Sequence, residues 1–99
     1  MARFDVHENT VDEGYLLDVQ ADALDGLNSR VVVPLIPVGL APKPAGRLNP
    51  EFRIEGRQVV MVTQFIAAVG TFNLGPPVAS ISDRSEVVIN ALDLLLTGV

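Results

Sequence analysis

The stretch SRVVVPLIPV, residues 29–38, constrains the fold more than any other part of the chain. β-Branched residues dominate it, and such residues favour the extended backbone of a strand. Pro34 and Pro37 interrupt the run, and a proline has no N–H to donate to a neighbouring strand. We therefore predict a strand here, with its proline-containing part at the edge of a sheet or at a bulge.

Shorter strand patterns surround this run. Residues 2–7 and 15–22 are predicted strands on either side of a polar, turn-rich segment, and residues 23–29 form a loop. Residues 52–69 have the pattern of two strands around Glu55-Gly56, an acidic residue and a glycine of the kind found in tight hairpins. Residues 70–81 add a further loop and strand. The chain is thus rich in short strands with turn signals between them.

The proline-rich sequence GLAPKPAGRLNP, residues 39–50, is predicted to be an ordered loop. It is too short, and too closely flanked by apolar strand patterns, to separate two domains. We therefore treat residues 1–99 as a single domain.

The last segment has the pattern of a helix. Asp83 and Glu86 have the spacing of a capping box at a helix start. One apolar stripe follows, at Val88, Ala91, Leu92 and Leu95. Asn90 and Asp93 lie off that stripe, and Gly98 stands where a glycine ends a helix. Strands followed by one terminal helix predict an α+β fold, a small, strongly bent antiparallel sheet or barrel that the helix covers.

Charge and composition exclude several classes of function. The chain has 12 acidic and 7 basic residues, and the basic residues form no cluster, so we expect no direct binding of nucleic acid. The absence of cysteine excludes disulfides and thiolate metal sites. No apolar run approaches the ~20 residues of a membrane span, and the N-terminal residues lack a signal-peptide pattern. We expect a protein of the cytoplasm that does not contact membranes.

Candidate catalytic and metal-binding residues are few. His7 is the only histidine, and we interpret it as a solvated loop residue and not as a catalytic base. The acidic pairs Asp12-Glu13 and Asp22/Asp25 lack the ligand pattern of a calcium loop, so we interpret them as solvated loop faces. No phosphate-binding glycine motif is present. These patterns favour a protein that is not an enzyme, and they predict no metal and no cofactor.

Three segments form a recognisable set: Asp18-Val19-Gln20, Val33-Pro34-Leu35 and a terminal helix in which Asn90-Ala91 precedes the ending Gly98-Val99. Together these segments resemble the CcdB family of plasmid-addiction toxins. The chain length also agrees with that family, so the resemblance extends over essentially the whole chain. It implies a homodimer with a small SH3-like barrel and a C-terminal helix, an architecture shared with the MazF and PemK ribonuclease toxins.

The resemblance also implies a mechanism. CcdB-like proteins are not enzymes: they bind the A subunit of DNA gyrase and trap its cleaved complex with DNA, and a CcdA antitoxin neutralises them. By residue position, the gyrase-binding set would be Ala21, Ala23, Leu24, Asp93, Thr97, Gly98 and Val99. Thr97 stands where the family has tryptophan, Asp93 where it has asparagine, and Ala21 where it has serine. Gly98 matches, and Val99 replaces isoleucine. On this interpretation the apolar chain end is a contact surface.

An antitoxin tail binds the first loop in this family, where the toxins carry arginines. The corresponding residues of this chain are Glu8, Asn9, Thr10, Val11, Asp12 and Glu13. This loop is acidic, so a cognate antitoxin would need a more basic or more apolar tail than is usual in the family.

Other hypotheses stay open. One is a relative that keeps the fold and the antitoxin pairing but has lost or changed its target. Another is a MazF-like endoribonuclease, which the low basic content disfavours, and a generic α+β dimer is the least specific alternative.

Overall fold

The computed structural model describes residues 2–99, which form a curled antiparallel sheet and one long helix. Within that range the elements are β1 (Asp5–Glu8), β2 (Tyr15–Asp18), β3 (Ser29–Pro37), β4 (Glu51–Ile54), β5 (Arg57–Met61), β6 (Ala67–Gly70), β7 (Pro77–Ser80) and α1 (Ser85–Thr97). The strand order is β4-β5-β3-β2-β1-β7, and β6 also pairs with β3. The predicted α+β fold, a bent sheet with a C-terminal helix, is confirmed.

Strand β3 is the centre of the sheet. One of its edges pairs with β2, and the other pairs first with β6, at Ser29–Val32, and then with β5, at Leu35–Pro37. Pro34 lies where the partner changes, and its carbonyl oxygen accepts a hydrogen bond from the Val62 N–H at 3.0 Å. The N–H and C=O of a strand residue point to the same side, so the proline's missing donor faces the gap between β6 and β5. Of the two predicted positions for this part of the strand, an edge or a bulge, an outer edge of the sheet is therefore wrong for Pro34, which lies where the central strand changes partner.

The hairpin around Glu55-Gly56 is confirmed. Ile54 pairs with Arg57, which leaves a two-residue loop, and φ is +51° at Glu55 and +80° at Gly56. Two consecutive positive φ angles are typical of a type I′ turn, whose twist matches that of the flanking strands. The same segment continues past β5 through a 3₁₀ turn into β6, so it holds one strand more than the pattern predicts.

Helix α1 buries the predicted stripe. Val88, Ala91 and Leu92 are buried and Leu95 is half-buried, whereas Asp93 is exposed. The buried residues pack on a sheet core with these members: Val6, Tyr15, Leu17, Val19, Val33, Leu35, Phe52, Ile54, Val59, Met61 and Ile81. This mainly aliphatic core takes up much of the chain's high content of hydrophobic residues, 48%.

The two ends of α1 differ from each other in how well the sequence predicts them. Gly98 has φ +79° and its N–H donates to the Leu94 carbonyl at 3.1 Å, so the predicted glycine stop is confirmed. The predicted capping box is wrong, because no side chain caps the N-terminus. A 3₁₀ turn at Ser82–Arg84 leads directly into the helix, and the Arg84 N–H donates to the Ile81 carbonyl at 2.9 Å.

His7 is not a solvated loop residue, which corrects the sequence interpretation. It lies within β1, where it pairs with Leu16, and it is fully buried. Its Nδ1 atom is 2.8 Å from the Gly75 carbonyl oxygen, a contact that joins β1 to the segment before β7. The polar sequence that follows His7 concealed that the strand continues to Glu8.

No helix in residues 2–99 is both long enough and apolar enough to cross a bilayer. The same residues contain no group of three or more histidine or carboxylate side chains placed to hold a metal ion.

Candidate functional site: two partner-binding surfaces

A buried ion pair supports the loop between β2 and β3. The Arg30 Nε atom donates to Asp18 Oδ2 at 2.8 Å, and a terminal guanidinium nitrogen lies 2.7 Å from the same oxygen. Both side chains are excluded from water, with 1% and 0% of their surface exposed. Asp18 Oδ1 accepts the Gln20 N–H at 3.0 Å, so the carboxylate also fixes the backbone at the point where the loop begins.

Gln20 then joins the loop to β3. Its Nε2 donates to the Leu24 carbonyl and its Oε1 accepts the Val31 N–H, both at 3.0 Å. On the other side, the Arg3 N–H donates to Asp22 Oδ1 at 2.8 Å. Residues 21–24 are therefore held at several points although they are exposed. The Asp18-Val19-Gln20 motif has a structural role, since it positions a surface loop.

This loop forms one wall of an apolar groove of about 500 Å³, which we call the C-terminal groove. Helix α1 and the first residues of β3 also line it. Three of the predicted gyrase-binding residues line it, namely Ala21, Leu24 and Asp93. They come from two segments far apart in the sequence, and the fold brings them to one surface.

The remaining predicted residues lie outside the groove. Ala23 is exposed in the 3₁₀ turn Asp22–Leu24, and Thr97 is the last residue of α1. The Thr97 hydroxyl donates to the Asp93 carbonyl at 2.7 Å, so it is occupied within the helix. Gly98 and Val99 continue beyond the helix end, and 80% of Val99 is exposed.

Sequence reasoning missed several residues of the C-terminal groove. Leu27 and Leu96 are large apolar side chains that are 51% and 71% exposed, and both line it. Ile66, Ile89 and Arg3 also contribute to its walls. The sequence does contain one indication for Leu96. It lies off the buried stripe of α1 and is nevertheless apolar, which is typical of a residue that contacts a partner.

The second surface is formed by the end of β1 and most of the loop between β1 and β2, which together we call the acidic loop (residues 8–13). Asn9 organises it: its Oδ1 accepts the N–H groups of Val11 and Asp12 at 3.0 and 3.1 Å, and its own N–H donates to the Gly14 carbonyl at 3.1 Å. Val11 is 87% exposed at the loop tip. The loop is thus ordered by its own hydrogen bonds while its side chains face solvent.

Two grooves flank the acidic loop. One, of about 430 Å³, is polar and includes Arg57, which is paired with Glu13 at 3.1 Å. In the same groove Tyr15 donates to the Glu55 carboxylate at 2.9 Å; burial, and then this hydrogen bond, raise the pKa of Tyr15. The other groove, of about 420 Å³, has an apolar floor and wall made by Pro34, Ile36, Leu40 and Phe65.

The two surfaces lie at opposite ends of β2. The acidic loop precedes Tyr15, whereas the loop of the C-terminal groove follows Asp18. Four extended residues span about 13 Å, so the strand holds the surfaces apart. One ligand could reach both only if it extended along the sheet.

The family model described as "CcdB protein" matches residues 3–98 of the chain. The chain belongs to the CcdB family. Membership identifies this CcdB-family protein as the toxin of a toxin–antitoxin pair, with an antitoxin as partner.

Solved structures give a second comparison. An endoribonuclease in complex with its cognate antitoxin, from a mycobacterial species, matches with a TM-score of 0.76. The match covers 97% of this chain and 94% of that chain at 16% sequence identity. At so low an identity the likeness shows that the two chains share a fold.

Proposed function

We propose that this CcdB-family toxin binds the A subunit of DNA gyrase through the C-terminal groove and the adjoining helix end, and that it traps the cleaved complex with DNA. It acts as a homodimer, and a CcdA-like antitoxin neutralises it by binding the acidic loop. The proposal rests on one observation: Ala21, Leu24 and Asp93 line the same groove.

The exposure of apolar side chains around this groove supports a protein partner there. Leu24, Leu27 and Leu96 are each at least half exposed. Contiguous apolar surface of this kind is rare on soluble proteins unless another protein covers it. Asp93 adds a carboxylate to an otherwise apolar wall, so a partner with a lysine or arginine at that point would be favoured.

The likeness to an endoribonuclease favours RNA cleavage as a second candidate, and charge argues against it. The grooves beside the acidic loop contain Glu8, Asp12 and Glu13, which repel phosphate. Their cation, Arg57, is already paired with Glu13. Incubation of the purified toxin with RNA tests this candidate directly, and specific cleavage that a heat-unfolded sample lacks would favour it over gyrase binding.

Replacing Val99 with serine is expected to weaken binding to purified gyrase A subunit about 10- to 100-fold, measured by isothermal titration calorimetry. The reason is that burial of a valine side chain contributes about 1.5–3 kcal/mol. Val11→Ser is the matched control, because Val11 has a similar exposure but lies on the acidic loop. If Val99→Ser and Val11→Ser weaken gyrase binding equally, the helix end is not the gyrase-binding surface.

A cleavage assay with gyrase tests the mechanism. With gyrase from the native host, excess wild-type toxin is expected to accumulate linear, cleaved DNA and to inhibit supercoiling. Val99→Ser should accumulate less cleaved DNA than wild type, because it binds the gyrase A subunit more weakly. If no cleaved DNA accumulates even though the A subunit binds, the toxin is a binder that does not trap the complex.

Charge reversal on the acidic loop tests the antitoxin site. Asp12→Lys is expected to weaken binding of the antitoxin encoded beside the toxin gene about 10-fold or more, because it repels the basic tail that the loop favours. The loss should shrink as salt is raised, since salt screens exposed charges. Asp83→Lys changes the net charge equally at an exposed position before α1 and should leave the affinity unchanged. If Asp12→Lys binds the antitoxin as tightly as wild type does, the antitoxin does not bind the acidic loop.

A further inference from the structure

The residues that follow α1 are exposed yet held in place. The Arg47 guanidinium donates a hydrogen bond to the Val99 carbonyl oxygen across 52 positions of sequence. Arg47 belongs to the proline-rich loop, in the 3₁₀ turn Gly46–Leu48. Thus Arg47, which lines neither of the two surfaces described above, contacts the segment proposed to bind gyrase.

The helix itself provides no cation at this end. Helix C-termini carry a partial negative charge from unpaired carbonyls, which a nearby cation stabilises. The last turn of α1 contains no basic residue. Within residues 2–99, the Thr97 hydroxyl and the Gly98 N–H donate only back into α1, to the carbonyls of Asp93 and Leu94. Arg47 therefore brings, from another element, a cation and a hydrogen bond to the residue that ends this segment.

The turn that carries Arg47 is firmly supported. Asn49 is buried, its Oδ1 accepts the Ala45 N–H at 2.9 Å, and its Nδ2 donates to the Met61 carbonyl at 3.1 Å. The Thr63 hydroxyl donates to the Leu48 carbonyl. These bonds attach the turn to the end of β5, so Arg47 projects from a rigid base, as an effective positioning residue must.

We propose that Arg47 is a positioning residue of the gyrase-binding surface, which orders Val99 before the partner arrives. This inference rests on the proposed function. Ordering an exposed side chain only on binding reduces affinity, because the lost freedom opposes association. A contact that orders the segment in the free toxin removes part of that cost, although Arg47 itself need not touch the partner.

The first test observes the free toxin and does not depend on gyrase. In wild type, the heteronuclear NOE of the Val99 amide is expected to be close to that of α1. Arg47→Gln should lower it at Val99 and leave the amides of Leu92 and Val88 unchanged, and Arg47→Lys should restore it in part, because lysine keeps the charge but loses the planar fork. Arg53→Gln, an exposed arginine on β4, is the control. An unchanged NOE in Arg47→Gln overturns the inference.

The second test measures affinity for the gyrase A subunit. Arg47→Gln is expected to weaken binding about 3- to 10-fold, with a melting temperature close to that of wild type. Arg47→Lys should recover part of the affinity, and Arg53→Gln should match wild type. Equal affinity of Arg47→Gln and wild type would overturn the role in binding. If wild type itself fails to bind, the proposed function fails, whereas the NOE still decides whether Arg47 orders Val99.

Discussion

Replacing Asp18 with asparagine is expected to lower the free energy of unfolding by about 3–5 kcal/mol. The Arg30 guanidinium would keep its charge while only 1% of the side chain reaches solvent, and the anion that balances it would be gone. Removing one partner of a buried ion pair leaves an uncompensated charge, which costs far more than a surface pair contributes. Urea denaturation followed by circular dichroism gives the measurement.

A double variant separates the ion pair from the packing around it. Asp18→Leu combined with Arg30→Met removes both charges at similar volume, so it should lose much less stability than Asp18→Asn. The exposed pair Arg57 and Glu13 serves as the comparison, and Glu13→Gln should change stability by less than about 1 kcal/mol. If Asp18→Asn also lowers the free energy of unfolding by less than about 1 kcal/mol, water reaches the Arg30 charge in solution. The ion pair is then not buried as the structure indicates.

The ion pair also connects stability with the proposed function. Asp18 accepts the Gln20 N–H, and Gln20 bonds the backbone at Leu24 and Val31. Loss of the carboxylate would therefore loosen one wall of the C-terminal groove before the whole domain unfolds. We expect Asp18→Asn to weaken gyrase binding even at temperatures where it remains folded.

The parts of the fold that depend on local physics were predictable from sequence. The hairpin at Glu55-Gly56 requires only two residues that tolerate positive φ, and the α1 stripe requires only helical periodicity. The central position of β3 was not predictable in this way. It depends on three partner strands, of which β5 and β6 come from a later part of the chain, and Pro34 gives the local signature of an edge. His7 was misjudged for a similar reason, because its burial comes from β7 and the segment before it.

The residues of the candidate site also differ in whether the sequence alone could predict them. Ala21, Leu24 and Asp93 were named from family resemblance, and only the fold shows that they share a groove. Ile66 was missed because it lies in a segment interpreted as continuous strand, whereas it follows the 3₁₀ turn at Thr63–Phe65. A groove whose walls are a loop, a strand and a helix has no signature in any single window of sequence.

Replacing Gly14 with alanine is expected to lower the free energy of unfolding by about 2–4 kcal/mol, through overpacking and backbone strain together. Gly14 has φ +103°, a conformation that residues with a Cβ rarely adopt, and a Cβ there would overlap the Leu35 carbonyl oxygen. Since that atom belongs to the backbone of the central strand, it cannot rotate away as a side chain would. Thermal and urea unfolding of the purified variant provide the measurement.

Gly26→Ala is the matched control, because nothing lies within 4 Å of a Cβ at that position. It is expected to be neutral or slightly stabilising, since alanine restricts the unfolded chain more than glycine does. The Gly14 variant should also lose antitoxin affinity, because the Gly14 carbonyl accepts the Asn9 N–H that closes the acidic loop. A Gly14→Ala variant of wild-type stability would show that the acidic loop can shift away from β3 at little cost. The close approach of Gly14 to Leu35 would then not fix the shape of the antitoxin surface.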